Sequence, residues 1–486
     1  MTRRTTILLV ATAILLPAAA FAQICGGNSP AVPVPECRSS LDGTEVACND
    51  PDAVRMWPDG FRPGEPGRTF PIERDSTQYN TTTIPGAISG HELFQSVYPL
   101  DGYLYVAYNA GLQVWDIHTD PEVPQLVFVR DGWNGDFLDF PFFGENDFFV
   151  DDVSAIRSGD DALVALSGRT TVGFGIWRHV EDPASFDQLY QDLGNRSIQT
   201  RSFEFGGNLY AFAAGQLGVF AYDLTAAEAL AGPCLDDGGS VCPGVFLGKV
   251  GATGFSSALD VLQRGGNVYV VRSGSAAAPI EIWEVSDPAT PGTAVSRFSG
   301  LPAGAWGVSL FERGGVAYLG VVEKDGGASM LRIYDVDACL DADGCGSLGA
   351  PVYTRALGMP FASPQYLTYS TSFGTPFLYY GANGFGLEGI KAELLLDLGA
   401  FPGGAVTEIT DGGGSYTDAC TGNTVDYWGD YYPGNGNGLR NVRPLVGRFD
   451  GAYFYRAAFG ILDVHVNQGA GVIFFDGFES GDTSAW

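Results

Sequence analysis

From residue 92 to residue 467 the chain is written in short runs in which every second position is aromatic or aliphatic, and the runs stop at Gly, Asp or Pro. Alternation with a period of two puts the apolar side chains of an extended segment on one face, so each run predicts a strand. No stretch sustains apolar residues at i, i+3, i+4 and i+7, and helices are therefore not expected.

One type of run recurs. Gly or Asp leads into an aromatic-rich strand at DGYLYVAYN (101–109), DDALVALSG (160–168), GGNLYAFAA (206–214), GGNVYVVRS (265–273), GGVAYLGVV (314–322), GTPFLYYGA (374–382) and DGAYFYRAA (450–458). An alternating run such as SALDVLQR or WGVSLFER precedes each copy, joined to it in most by DG, GG or GD. These dipeptides supply the positive φ that a two-residue hairpin needs. A third run follows (LQVWDIH, FGIWRHV, LGVFAYDL, IEIWEVS, LRIYDVD, GLEGIKA, ILDVHVN), and most copies show a fourth, as in PQLVFVRDG and TAVSRFSG.

Four antiparallel strands in seven copies predict an all-β chain folded as a β-propeller of seven blades. The anchors Tyr105, Val164, Tyr210, Tyr269, Tyr318, Leu378 and Phe454 mark the second strand of each blade. A four-stranded sheet with two apolar faces must bury both against neighbours, which a ring of sheets accomplishes. Closure is expected from DSTQYNTTTIPG (75–86) pairing beside GILDVHVN, with GVIFFDGF (471–478) as the competing segment.

The phrase hydrophobic-x-Val-Trp/Tyr-Asp/Glu-Val/Ile-x-Asp-Pro-x-x-Pro is clear in LQVWDIHTDPEVPQL and IEIWEVSDPATPGTAV. It resembles the LVIVD-type repeat of secreted bacterial β-propellers. The copies near 176–189 and 333–345 match in part, and the other three keep the strand rhythm. The last residues, FFDGFESGDTSAW, resemble a short C-terminal tail of assorted exported bacterial proteins. That resemblance implies a sorting or surface-display role, beside the plainer reading of a flexible end.

The N-terminus agrees with export. Arg3 and Arg4 precede the apolar run Ile7–Leu16, and Ala20-Phe21-Ala22 has the small-x-small form of a cleavage site, so residues 1–22 read as a signal peptide. The expected organisation is then a Cys-containing, loop-rich extension (23–74), the propeller (75–470) and the tail (471–486). No other segment approaches the ~20 apolar residues of a membrane-spanning helix. Gly supplies 68 of 486 residues, twice the usual share of about 7%, in keeping with many tight turns.

The formal charge is −30. Such a surface repels phosphate backbones and anionic lipid heads, which argues against nucleic acid as a partner. All eight Cys follow the signal. Cys234–Cys242 and Cys339–Cys345 are spaced to close local disulfide loops in an oxidising compartment, while Cys25, Cys37, Cys48 and Cys420 allow three pairings. No Cys/His spacing fits zinc.

Catalytic motifs are missing from the sequence: HExxH, GxSxG and the P-loop are absent. His118, His179 and His465 fall near the ends of third strands of different blades, so they are expected far apart and exposed or capping corners. Asp337, Asp341 and Asp343, in DVDACLDADGC, offer hard oxygen ligands for structural calcium, although the downstream Glu of a calcium loop is lacking. The plainer reading is solvated turn acids, and no other cofactor is expected.

A propeller ligand sits at the channel mouth, where first strands begin. That ring is predicted to contain His91, Glu92, Asp151, Asp152, Arg196, Arg201, Trp306, Gln365, Arg440 and Arg443. Mixed charge with one Trp suits a small polar ligand or a peptide, unless the Arg and Asp only satisfy one another. The leading functional expectation is an exported, monomeric, non-enzymatic propeller for binding or display. The alternative is a lactonase-like hydrolase with a divalent ion in the channel.

Overall fold

Gly206-Gly207, Gly265-Gly266 and Gly314-Gly315 take φ of +60° to +82°, the left-handed geometry of a two-residue hairpin turn. Each therefore folds one strand back on the next, and the GG signals of the sequence become first-to-second-strand hairpins. The computed structural model describes residues 36–39, 53–59 and most of 94–466; 132–149, 302–306, 361–364, 386–392 and 427–440 are among the residues not described.

Among the described residues, seven sheets of four or five strands, largely antiparallel, are counted here as blades 1 to 7, beside two small two-stranded sheets. Blade 1 runs Phe94–Leu100, Tyr103–Tyr108, Gly111–Asp116 and Gln125–Asp131. The first strands of blades 2 to 7 are Asp152–Ser158, Ser197–Phe205, Ala258–Arg264, Gly307–Arg313, Gln365–Ser370 and Val446–Asp450. Each first strand lies against the first strand of the next blade, and that of blade 7 lies against that of blade 1. The fold is a closed seven-bladed β-propeller.

Apolar clusters fill every junction between blades. Leu104 and Trp115 of blade 1 meet Tyr453 and Tyr455 of blade 7, while Tyr105 and Val114 on the other face meet Val153 and Trp177 of blade 2. This is the alternation of a strand with both faces buried. Phe174 stacks on Tyr222 between blades 2 and 3 with ring centroids 3.8 Å apart, and Tyr379 meets Phe454 edge-on between blades 6 and 7. All seven second-strand anchors are buried. Each large side chain withdrawn from water contributes roughly 1.5–3 kcal/mol, so the junctions hold the ring together.

The recurring corner after the third strand has a common chemistry. Asp116, Asp223, Asp335 and Asp397 end their strands, and in each a carboxylate oxygen accepts the backbone N–H of His118, Ala226, Asp337 or Gly399. Asp287, two residues past the end of its strand, does the same for Ala289. The acid in the repeated phrase turns the chain, because an Asp side chain bonded two or three residues ahead mimics a backbone turn. The polar residue two before the aromatic also has a role. Trp115 Nε1 donates to Gln113 Oε1 and Trp283 Nε1 to Glu281 Oε2, both at 3.1 Å.

Some expectations change. The strand beside Ile461–Val466 is Ala53–Asp59, pairing in parallel, with Glu36–Ser39 outside it. An N-terminal segment does border blade 7, but it comes from earlier in the chain than 75–86; both 75–86 and 471–478 lie outside the described residues. The third strand of blade 6 is Glu393–Asp397, not GLEGIKA, because Leu394, Leu395 and Leu396 supply the buried run. His118 and His179 are not far apart: both rings contact Tyr103, with centroids 4.7 and 4.4 Å away. His179 is buried, since the corners of blades 1 and 2 pack face to face.

Both predicted disulfides are formed. Cys234–Cys242 and Cys339–Cys345 span Cα–Cα distances of 6.2 and 4.6 Å. The first loop lays Cys234–Asp236 in parallel against Ser185–Asp192, giving blade 2 a fifth strand.

Candidate functional site

The first strands carry a polar position in register. Ser96, Ser154, Arg201, Asp260 and Ser309 each stand five residues before the first residue of the following turn, at 101, 159, 206, 265 and 314. Because the blades are related by rotation about the channel, equal register means equal depth along the axis. These five residues form one level of the ring.

From that level a belt of hydrogen bonds passes from blade to blade, taking in Asp152, Thr368 and Arg448 from neighbouring positions on their first strands. Ser96 Oγ of blade 1 donates to Asp152 Oδ1 of blade 2. Asp152 Oδ2 accepts from the Thr200 backbone N–H and from Arg201 Nη1 of blade 3, both at 3.1 Å. Arg201 Nε continues to Asp260 Oδ1 of blade 4 at 3.3 Å. Asp260 Oδ2 accepts from Ser309 Oγ at 3.0 Å and the Leu310 N–H at 2.9 Å in blade 5. On the other side, Arg448 of blade 7 donates from Nη1 to Thr368 Oγ1 of blade 6 at 2.9 Å, and its guanidinium lies 5.8 Å from the ring centre of Tyr98 in blade 1.

The electrostatics follow from this arrangement. Asp152 is fully buried, whereas the side chains of Arg201 and Asp260 keep 12% and 18% of their exposure, so solvent reaches the belt. Burial works against the Arg201 charge, but Asp152 and Asp260 on either side hold its pKa above the ordinary arginine value. Among the described residues, Arg448 has no carboxylate in contact. Burial, and then the like charge of Arg201, push it down to about 10, and it remains a cation at neutral pH.

Of the channel residues predicted from sequence, Asp152 and Arg201 come together as an ion pair. Asp151 is buried beside them at the start of blade 2. Arg196 is exposed just before the first strand of blade 3, and Gln365 opens the first strand of blade 6. His91, Glu92, Trp306, Arg440 and Arg443 lie outside the described residues. Sequence reasoning missed Asp260, Ser309, Thr368 and Arg448. It counted back from the second-strand anchors to the beginnings of the first strands, where connection lengths vary; stopping five residues before the GG, DG or GD turn would have found the common register in five blades, and with it Asp260 and Ser309.

Asp337 and Asp236, at the two disulfide loops, are engaged within the protein. Asp337 pairs with Arg264 and accepts the Ala317 N–H, while Asp341 and Asp343 are exposed. Asp236 Oδ1 takes the N–H groups of Asp237, Ser240 and Val241 at 2.7–3.0 Å. Among the described residues there is no group of three or more His, Cys, Asp or Glu placed to hold a metal. No helix among them is long and apolar enough to cross a membrane.

The geometry defines the class: a seven-bladed propeller with a charged belt across its axis. No family model matches the chain, and no curated protein does either. Among solved structures it is similar to the Dos1 propeller at 9% identity, over 77% of both chains, with a TM-score of 0.41. It is similar to the hydrazine synthase of Kuenenia stuttgartiensis at 9% identity, over 79% of this chain and 99% of that one, with a TM-score of 0.46. An ancestral GH74 enzyme is 11% identical over 78% of this chain and 48% of its own, with a TM-score of 0.46. Likeness at such identity concerns the fold alone.

Proposed function

We propose that the chain is an exported, non-enzymatic propeller that captures a small polar ligand or a peptide at the mouth of its channel. The observation that carries this reading is the Asp152–Arg201–Asp260 chain. It spans three blades at the axis and stays partly open to solvent, so fixed charges face a place where a ligand can enter. Arg196, exposed at the adjoining strand start, stands at the rim, and His91, Glu92, Trp306, Gln365, Arg440 and Arg443 complete the proposed mouth. Export is supported by the signal-like N-terminus and by two disulfides, which persist in oxidising compartments.

A hydrolase using a divalent ion would need channel acids free to coordinate it. Here both axial carboxylates are committed to Arg201, whose charge repels a cation. The test is a binding screen of the mature protein against oligosaccharides, short peptides and small polar metabolites, run beside lactone, ester and glycoside substrates with and without EDTA. Stoichiometric binding unaffected by EDTA, and weakened at least about 10-fold by Arg196→Ala or Trp306→Ala, supports the reading. Turnover that disappears on chelation replaces it with the hydrolase.

A further inference from the structure

The belt leaves one guanidinium without a carboxylate. Arg448 spends Nη1 on Thr368 and its face on Tyr98, while Nε and Nη2 are buried and have no acceptor among the described residues. These two nitrogens form one edge of the planar guanidinium, and their N–H bonds point the same way. That edge is the fork onto which the two oxygens of a carboxylate fit. Leaving such donors unsatisfied in a buried place is costly, so the site is built to receive an acceptor.

The neighbouring acids do not fill this role. Asp152 is occupied by Ser96, Thr200 and Arg201, and Asp260 by Arg201, Ser309 and Leu310. Arg201 lies between the two carboxylates and neutralises part of their charge. Thr368 and Tyr98 fix the plane of the Arg448 guanidinium from two other blades, so the unpaired edge is held in place before a ligand arrives.

We propose that the Nε/Nη2 edge of Arg448 is a carboxylate-binding site inside the channel, and that the captured ligand is a small molecule bearing one carboxylate. The inference rests on the proposed binding role and specifies its ligand class. Asp152 and Asp260 select against polyanions, since a second negative charge at this depth meets them.

The experiment titrates the mature protein with sodium acetate, sodium glucuronate, inorganic phosphate and glucose, with sodium chloride at matched ionic strength as reference. Thermal midpoint and saturation transfer from the protein to the ligand protons are read in each titration. Expected are a saturable rise in the midpoint and saturation transfer with acetate and glucuronate. Glucose and chloride should give neither, and Arg448→Gln should weaken the carboxylates at least about 10-fold. Arg448→Lys keeps the charge without the fork and should lose most of the effect. Phosphate binding as tightly as acetate would overturn selection for a monocarboxylate. No saturable response in the wild type, or one unchanged in both variants, would overturn the site, and the wild-type transfer measurement decides even where a variant fails to fold. If glucose or a neutral oligosaccharide binds and no carboxylate does, the carboxylate inference fails while the binding role stands.

Discussion

The hydroxyl of Tyr105 in blade 1 lies 2.8 Å from Nδ1 of His179 in blade 2, in a pocket closed by Tyr103, Phe128 and Phe186. An imidazole among four aromatic rings loses its hydration, and burial lowers its pKa below the ordinary 6.5. In the native protein it is neutral, and it joins two blades through one hydrogen bond and several edge-on ring contacts.

This burial makes stability depend on pH. A His whose folded pKa is depressed contributes stability that is complete above its unfolded pKa of about 6.5 and is lost as pH falls below that value, because the unfolded chain takes up the proton first. The thermal midpoint should therefore fall between pH 7.5 and pH 5, and His179→Phe should flatten that part of the profile. A wild-type midpoint that is level over this range would contradict the assignment.

Asp236 gives a second pH window with a different group. Burial raises its pKa, but the backbone N–H groups of Val241 and Asp237 and the Tyr190 hydroxyl outweigh that effect, and the net shift is downward. Its contribution is present above the unfolded carboxylate value of about 3.9 and disappears as acid protonates the folded group. Asp236→Asn should cost about 1.5–3 kcal/mol in urea unfolding at pH 7, the worth of hydrogen bonds to a charged acceptor. The penalty should shrink toward pH 3.

At the axis, removing Arg201 leaves Asp152 buried without its countercharge. Arg201→Ala should destabilise by about 3–5 kcal/mol, as is usual when one partner of a buried pair is lost. Adding Asp152→Asn should recover part of the loss, so a double-mutant cycle at equilibrium should show coupling of about 1 kcal/mol or more. Strictly additive effects would mean that the 3.1 Å contact carries no energy of its own.

Close backbone approach supplies another test. A Cβ on Gly215 would stand 1.9 Å from the Arg196 carbonyl oxygen, and the strand cannot move away without breaking its pairing with Ser197. Gly215→Ala should cost at least about 1–3 kcal/mol through overpacking. Gly206→Ala, in a turn with open space around it, should be limited to the strain of a positive φ, of order 1 kcal/mol. Denaturant midpoints of the two variants would check the order.

The ring of seven blades was readable because its cause is local. Alternation, GG and DG turns, and the aromatic–acid corner are each written within ten residues or so, and Asp116, Asp223, Asp335 and Asp397 repeat the corner by the same hydrogen bond. Copies that depart from the pattern were misread. In blade 6 the third strand is Glu393–Asp397 rather than the run at 386–392, since periodicity does not fix how many residues separate one strand from the next. The predicted mouth fared unevenly for the same reason: Arg201 lies where its distance from a hairpin turn places it and Asp152 opens the strand beside it, whereas the other strand beginnings follow connections of unequal length.

By itself the sequence determined an all-β chain of seven four-stranded repeats, two local disulfides and an acidic surface, because strand period, turn chemistry and short loop closure act between near neighbours along the chain. Tertiary structure alone decided that Ser96, Asp152, Arg201, Asp260 and Ser309 form one belt, that His179 is buried, and that Arg448 keeps a buried, unpaired edge. Those residues are separated by roughly fifty positions or more along the chain, and only the packing of blade against blade brings each of them to its partners, where a buried charge or polar group must be satisfied.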